Sequence, residues 1–146
     1  DTIRRWRNGG KFDGKMLTED QNHIHSIYQR ILTLCNKEKA ITEGEFFDLM
    51  YANANGWRFN EHKQYTFLRK AGKELLFIIV NFDHISVDVA INVPSHAFDF
   101  LQIPQMDVYP AIDLLTGKTE SISLLPYKAT EISVEGYSGK ILKIKL

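Results

Sequence analysis

The sequence has a single cysteine, Cys35, in 146 residues. One thiol excludes an intrachain disulfide and any metal site built from several thiolates. Neither sign of charge prevails, because 18 Lys and Arg are matched by 18 Asp and Glu. That balance leaves no basic footprint for nucleic acid or for an anionic membrane surface. Long apolar runs are missing as well. The longest, Leu75 to Val80, falls far short of the roughly 20 residues a membrane-spanning helix needs. There is no internal repeat, low-complexity tract or disordered linker. The chain opens on Asp1 with no charged segment leading into an apolar one, so it reads as an internal cut with any export signal lost upstream. Localisation therefore stays open.

What is present is ordinary for a folded domain: 44% hydrophobic and 25% charged residues. A chain of this length fits one domain with a short appendage, and folding buries roughly 68–70% of its unfolded surface, enough for a real core.

Two periodicities divide the chain. Residues 1–17 are polar and broken by Gly9, Gly10 and Gly14, which reads as a loop. Thr18 with Gln21 three residues on is a capping box, and Glu19 and Asp20 suit a helix N-terminus. Ile24, Ile27, Tyr28, Ile31, Leu32, Leu34 and Cys35 then recur at helical spacing on a wide apolar stripe. Cys35 on that stripe reads as a small buried hydrophobe. From Glu45 the period falls to two. Strands are expected at Phe46–Tyr51, Tyr65–Lys70, Leu75–Phe82, Val87–Val93, Val108–Leu115, around Ile122 and Leu124, around Ile132 and Val134, and from Leu142 to Leu146. Asn55-Gly56 is a strong hairpin signal, and Ala71 to Glu74 reads as a second turn. Leu75 to Phe82 is apolar on both faces and should be central, whereas Pro110 makes its strand edge-like. Ser95 to Leu101 fits either a loop or one helical turn. About eight short strands, joined by connections too short for crossover helices, predict a mainly β fold: an antiparallel Greek-key β-sandwich behind one amphipathic N-terminal helix.

Side chains capable of chemistry are scattered. Asp83, Asp88, Asp99, Asp107, Asp113, Glu131 and Glu135 fall in turns or on alternating polar faces, where a solvated face explains them. His23 and His25 point to different sides of a helix, and His62, His84 and His96 are isolated. No metal or cofactor pattern emerges, nor any phosphate-cradling glycine loop or Ser–His–acid arrangement. Aromatics offer the one hook for binding. Trp57 follows the Asn55-Gly56 turn, with Tyr51, Phe59 and Tyr65 near it in sequence. Pyranose C–H faces stack on aromatic planes, so Trp57, Tyr51 and Tyr65 are candidate carbohydrate-binding residues. The competing reading is that Trp57 caps one end of the sandwich core.

Several segments, in order, resemble the end of the alpha-amylase family of glycoside hydrolases. Tyr28-Gln29-Arg30-Ile31-Leu32-Thr33-Leu34, then Lys39-Ala40-Ile41 and Gly44-Glu45-Phe46, look like the last helix of the catalytic barrel and its exit. Phe67-Leu68-Arg69 with Leu76 to Phe82 look like the second and third strands of the C-terminal β domain, and Asp113-Leu114-Leu115-Thr116-Gly117 is similar to its later strand and turn. The resemblance implies that residues 1–40 are a loop and the final barrel helix, with Trp6 and Asn8-Gly9-Gly10 near the last strand–helix connection, and that 41–146 are the C-terminal sandwich. It further implies a retaining parent acting on α-glucosidic bonds in starch or maltooligosaccharides, whose catalytic carboxylates all precede Asp1. It favours a periplasmic or secreted setting. No catalytic residue of the family maps onto this chain.

Three functions follow. The chain is a non-catalytic C-terminal domain stabilising a missing barrel, or a carbohydrate-binding module using exposed aromatics, or a free-standing sandwich whose helix contacts protein. Expected partners are the parent barrel, an α-glucan, and a second copy through the Ile24/Ile27/Ile31 helix face. Nucleic acid and a membrane span are not expected.

Overall fold

The computed structural model describes residues 1–146. The chain divides into two compact units, Asp1–Lys37 and Glu38–Leu146.

In the first unit the start is not a loop. Helix α1 (Thr2–Arg7) begins with the Asp1 carboxylate accepting from the Arg4 N–H at 3.3 Å and ends at Asn8 in the left-handed region. A 3₁₀ turn, Asn8–Gly10, follows. Trp6 meets Phe12, ring edge to ring face at 5.0 Å, and both stay exposed. Helix α2 (Glu19–Lys37) forms where its periodicity places it. The capping box is made: the Thr18 N–H donates to Gln21 Oε1 at 3.1 Å and the Gln21 N–H to Thr18 Oγ1 at 3.2 Å. The stripe, however, is uncovered. No residue of α2 is buried, and Ile24, Ile27, Tyr28, Ile31 and Leu32 are all exposed. Cys35 is exposed too, which corrects its reading as a buried hydrophobe: periodicity identifies a stripe but not what covers it.

The second unit is a sandwich of eight antiparallel strands: β1 (Glu45–Asp48), β2 (Gln64–Ala71), β3 (Glu74–Asn81), β4 (Val87–Ile91), β5 (Met106–Asp113), β6 (Thr119–Leu124), β7 (Thr130–Val134) and β8 (Ser138–Lys145). Six form one sheet in the order β1-β2-β3-β8-β5-β6, and β4 pairs with β7 in the other. The last strand returns to lie between β3 and β5, the non-sequential pairing of a Greek key. Short helices α3 (Lys39–Thr42), α4 (Met50–Asn53) and α5 (Ser95–Leu101) fill the connections. β3 is central as its composition requires. Leu75, Phe77 and Ile79 join Leu68, Tyr109, Leu142 and Ile144 and the β4 and β7 residues Val89, Ile91, Ile132 and Val134 in the main core. Leu76 and Ile78 point the other way, into a smaller cluster with Ala40.

Local departures from expectation have local causes. The strand expected through Tyr51 stops at Asp48, whose carboxylate accepts from the Met50 N–H at 3.1 Å and starts α4. Asn55-Gly56 is not a hairpin loop. β1 and β2 pair, but the connection between them contains α4 and a long loop. The tight turn is Gly72-Lys73, closed by the Ala71↔Glu74 pair, where Gly72 has φ +56°. Ser95–Leu101 resolves as helix. β5 lies inside the sheet, yet Pro110 belongs to the half paired with β6 alone, since pairing to β8 begins at Ala111.

One polar group sits at the heart of the packing. Asn53 is fully buried. Its amide nitrogen donates to the Leu49 and Asn92 carbonyls at 2.8 and 3.0 Å, and its oxygen accepts from the Asn92 N–H at 2.8 Å. It ties α4 to the end of β4. Replacement strands those groups, at about 1–3 kcal/mol for a buried unsatisfied partner. Asn53→Leu should therefore lower stability to urea by about 2 kcal/mol, and an unchanged midpoint would show that the clamp is redundant.

Candidate functional site

Among the exposed aromatic groups of the second unit, two sets are distinguished by their place in the fold. The first is the outer face of the six-stranded sheet. Strand alternation sends Gln64, Thr66 and Leu68 inward and turns Tyr65, Phe67 and Arg69 outward. Phe46 of β1 is 5.3 Å from Phe67, and Phe67 is 5.7 Å from Tyr65, ring centre to ring centre. Phe46 and Tyr65 remain exposed, while Phe67, Val80 and Ile141 are half-buried beside Leu76 and Ile78. Part of this face has its own cover, the segment from Glu38 to Gly44. Ala40 and Ile41 lie in its apolar cluster. Arg69 fixes the segment by donating to the Ala40 carbonyl at 2.8 Å and to the Gly44 carbonyl at 2.7 Å. Lys143 holds Glu38 at 2.7 Å and Glu74 at 3.4 Å. The hydrogen bond to Glu38 pushes the Lys143 ammonium pKa above its ordinary value. The rest of the face is an apolar patch with no cover, the kind of surface that marks a protein contact.

The second surface is the loop between α4 and β2. Phe59 is buried in the main core and pins it. Glu61 accepts from the Asn55 N–H, the Arg58 carbonyl accepts from the Ala90 N–H at 3.2 Å, and Arg58 Nε donates to the Asp88 carbonyl at 3.0 Å. Arg58 also approaches Glu131 at 3.5 Å. Trp57 stands between these anchors and is 71% exposed, which overturns its reading as a core cap. The Arg58 guanidinium lies 5.1 Å from its ring centre. Asn55 and Arg58, on either side, both hold φ +57°. For a bulky residue such as Arg58 this conformation costs about 1–2 kcal/mol.

The three aromatics proposed from the sequence find different partners. Tyr51 hydrogen-bonds His96 at 2.9 Å and packs near Phe47. Burial raises its phenol pKa, helped by Asp48. Tyr65 belongs to the sheet face, and Trp57 to its own loop. Sequence reasoning missed Arg58, Arg69 and Lys143, which set these surfaces. The signal for Arg69 lay in strand alternation, which puts a charge among Tyr65, Phe67 and Leu76.

Two of the acids expected on solvated faces are buried. Asp113, 2% exposed, accepts from Thr116 Oγ1 at 2.8 Å and from the Leu115 and Ile141 N–H groups at 3.1 and 3.3 Å. Asp83, 8% exposed, accepts from Lys63 Nζ at 2.8 Å, the His84 N–H at 2.8 Å and His84 Nδ1 at 2.9 Å. Both serve turns. No group of three or more His, Cys, Asp or Glu is placed to hold a metal ion, and no helix is long and apolar enough to cross a membrane.

With this geometry in view, the likeness to known structures is specific in fold. The maltogenic alpha-amylase AmyB from Thermotoga neapolitana superposes with a TM-score of 0.65 at 15% identity, over 89% of this chain and 27% of that one. AmyP, solved in complex with maltose, gives 0.61 at 21% identity over 91% and 23%. Trehalose-6-phosphate hydrolase from Bacillus licheniformis gives 0.53 at 19% identity over 90% and 20%. The chain thus spans about a quarter of the length of such enzymes. No protein-family profile matches the sequence, and no curated protein matches it.

The Asp83 contacts carry a pH dependence. The Lys63 hydrogen bond, with further help from His84, holds the Asp83 carboxyl below its ordinary value. A depressed folded-state pKa stabilises the fold above the unfolded value of about 3.9 and loses that effect as pH falls through the folded value. Asp83→Asn should therefore flatten the acid limb of the stability–pH curve below about pH 4. An acid limb identical to that of the parent chain would remove Asp83 from the account.

Proposed function

We propose that this chain is the non-catalytic C-terminal part of an amylase-like glycoside hydrolase acting on starch or maltooligosaccharides, and that it stabilises a catalytic barrel encoded upstream. The observation that carries this reading is the fold likeness over nearly all of this chain and a quarter of each enzyme. Two uncovered apolar surfaces support it: the α2 stripe and the outer sheet face around Phe46 and Tyr65. Each is the face a larger neighbour would bury, and burying one Phe side chain is worth about 1.5–3 kcal/mol.

The test is to express the full reading frame that contains this chain alongside the 146-residue chain alone. The complete product should release reducing sugar from soluble starch, and the short chain should release none. In the complete product, Phe46→Asp should lower the thermal midpoint by several degrees while moving that of the short chain little. A complete product inert on every α-glucan would end the reading.

Without its barrel the α2 stripe is left to water, and an exposed stripe of this width drives association. The short chain should be at least dimeric at tens of micromolar by light scattering. Ile27→Glu and Ile31→Glu together should return it to monomer. A monomeric parent chain would show that the stripe tolerates solvent.

A further inference from the structure

We propose that Arg58 and Asn53 act as a surrogate strand closing the outer edge of β4, and that without the Arg58 side chain this edge pairs with the β4 edge of a second copy. The smaller sheet contains only β4 and β7. In an antiparallel pair, alternate residues turn their main-chain groups toward the partner strand and the others turn them away. The outward residues of β4 are Asp88 and Ala90, with Asn92 next in line, because their main-chain groups bond to the connection between α4 and β2. The Ala90 N–H donates to the Arg58 carbonyl at 3.2 Å. The Asp88 carbonyl accepts from Arg58 Nε at 3.0 Å. At Asn92 both groups are taken, the N–H by Asn53 Oδ1 at 2.8 Å and the carbonyl by Asn53 Nδ2 at 3.0 Å. A neighbouring strand would bind these same groups. Here two residues that belong to no strand bind them instead.

Arg58 is committed to this position. Its φ is +57°, a conformation that residues with a side chain avoid, and its carbonyl and its Nε reach the same edge. The guanidinium is fixed further. The Trp57 ring centre lies 5.1 Å from it, a contact that restrains the cation. Glu131, which sits across from Ala90 on β7, lies at 3.5 Å. The exposed indole thus has a task within the fold, which is to hold the arginine in place. An open strand edge is a template for another chain, and proteins blunt it with a charge or a covering loop. Arg58 supplies both. On its other side the sheet meets β6, where Thr130 Oγ1 donates to the Ser123 carbonyl at 2.6 Å.

The occupant that fits the uncovered edge is β4 itself. With a twofold axis at Val89, Asp88 and Ala90 exchange both main-chain bonds with Ala90 and Asp88 of the second copy. These are the groups that Arg58 covers, while Asn92 stays with Asn53. Asp88 then faces an alanine, so no like charges stand opposite each other. Val89 and Ile91 keep their places in the core, and the interior needs no rearrangement. Without its side chain, residue 58 holds the edge by the single 3.2 Å bond of its carbonyl, which a strand offering both donors and acceptors displaces.

Association is read by light scattering in the chain carrying Ile27→Glu and Ile31→Glu, which takes the α2 stripe out of the measurement. Arg58→Gly suits the left-handed backbone and removes the guanidinium arm. At tens of micromolar it should raise the weight-average mass about twofold, as an isologous pair requires, and slow amide exchange at Asp88. Asp88→Pro deletes that N–H at an edge position where proline is tolerated. Added to Arg58→Gly, it should return the mass to the starting value. In the starting protein the Arg58 Nε–H should exchange more slowly than that of Arg4, Arg5 or Arg7. Three results would each overturn the proposal: a folded Arg58→Gly chain of unchanged mass, association that survives Asp88→Pro, or an Arg58 Nε–H that exchanges as fast as those three. If circular dichroism shows Arg58→Gly to be unfolded, Trp57→Ala decides, because it loosens the guanidinium and leaves the backbone intact. Its mass should rise and fall again with Asp88→Pro, and an unchanged mass there also overturns the proposal.

Discussion

The five consecutive buried residues of β3, Leu75 to Ile79, impose the constraint on which the second unit depends. Successive side chains of a strand point to opposite faces, so a run apolar at every position needs cover on both sides. The inner side receives it from the opposed β4–β7 sheet, whose Val89, Ile91, Ile132 and Val134 meet Leu75, Phe77 and Ile79 in one cluster. The outer side receives it from Ala40 and Ile41 over Leu76 and Ile78. A four-residue helix has no intrinsic stability, so α3 needs outside anchorage. Arg69 and Lys143 provide it from the strands flanking β3. The guanidinium of Arg69 reaches two carbonyls at once, a geometry that a lysine ammonium does not reproduce.

Most of this architecture was legible because period-two patterning is strong wherever one face is buried. Val87, Val89 and Ile91, or Ile132 and Val134, left little choice of face or register. The failures occur where a local hydrogen bond outweighs the pattern. Phe46 to Tyr51 reads as one strand, but Asp48 accepts from the Met50 N–H and turns the chain into α4. Asn55-Gly56 carries the positive-φ chemistry of a hairpin, and Asn55 does hold φ +57°. It is spent instead on leaving α4, while the hairpin forms at Gly72-Lys73. Asp83 and Asp113 looked like surface acids because part of what holds them is backbone N–H groups, which every sequence has and none displays.

The first unit shows the opposite limit. The Thr18–Gln21 capping box and the apolar spacing locate α2, yet a stripe specifies only that something should cover it. Ile24, Ile27 and Ile31 are exposed, and Cys35 with them. The candidate binding residues divide in the same way. Trp57 could be found as an aromatic beside a turn, but its presentation depends on Arg58, and nothing in the one-dimensional pattern marks an arginine that will fold back over its neighbour. Tyr51 and Tyr65, close to Trp57 in sequence, are drawn to His96 and to Phe67.

The sheet face and the Trp57 loop expose aromatic rings in different ways. Phe46, Phe67 and Tyr65 form a contiguous face on regular strands, and its charged neighbours Arg69 and Lys143 are already occupied by carbonyls and carboxylates. Such a face gains from excluding water over a wide area and asks for a partner of matching breadth, as a barrel would be. Trp57 offers a single exposed plane between two left-handed residues, with a guanidinium over it. A large flat partner would gain little from one fixed ring. Fold likeness alone does not assign function. The contrast between a broad face on regular strands and a single exposed ring on a strained loop is a property of this chain's own residues.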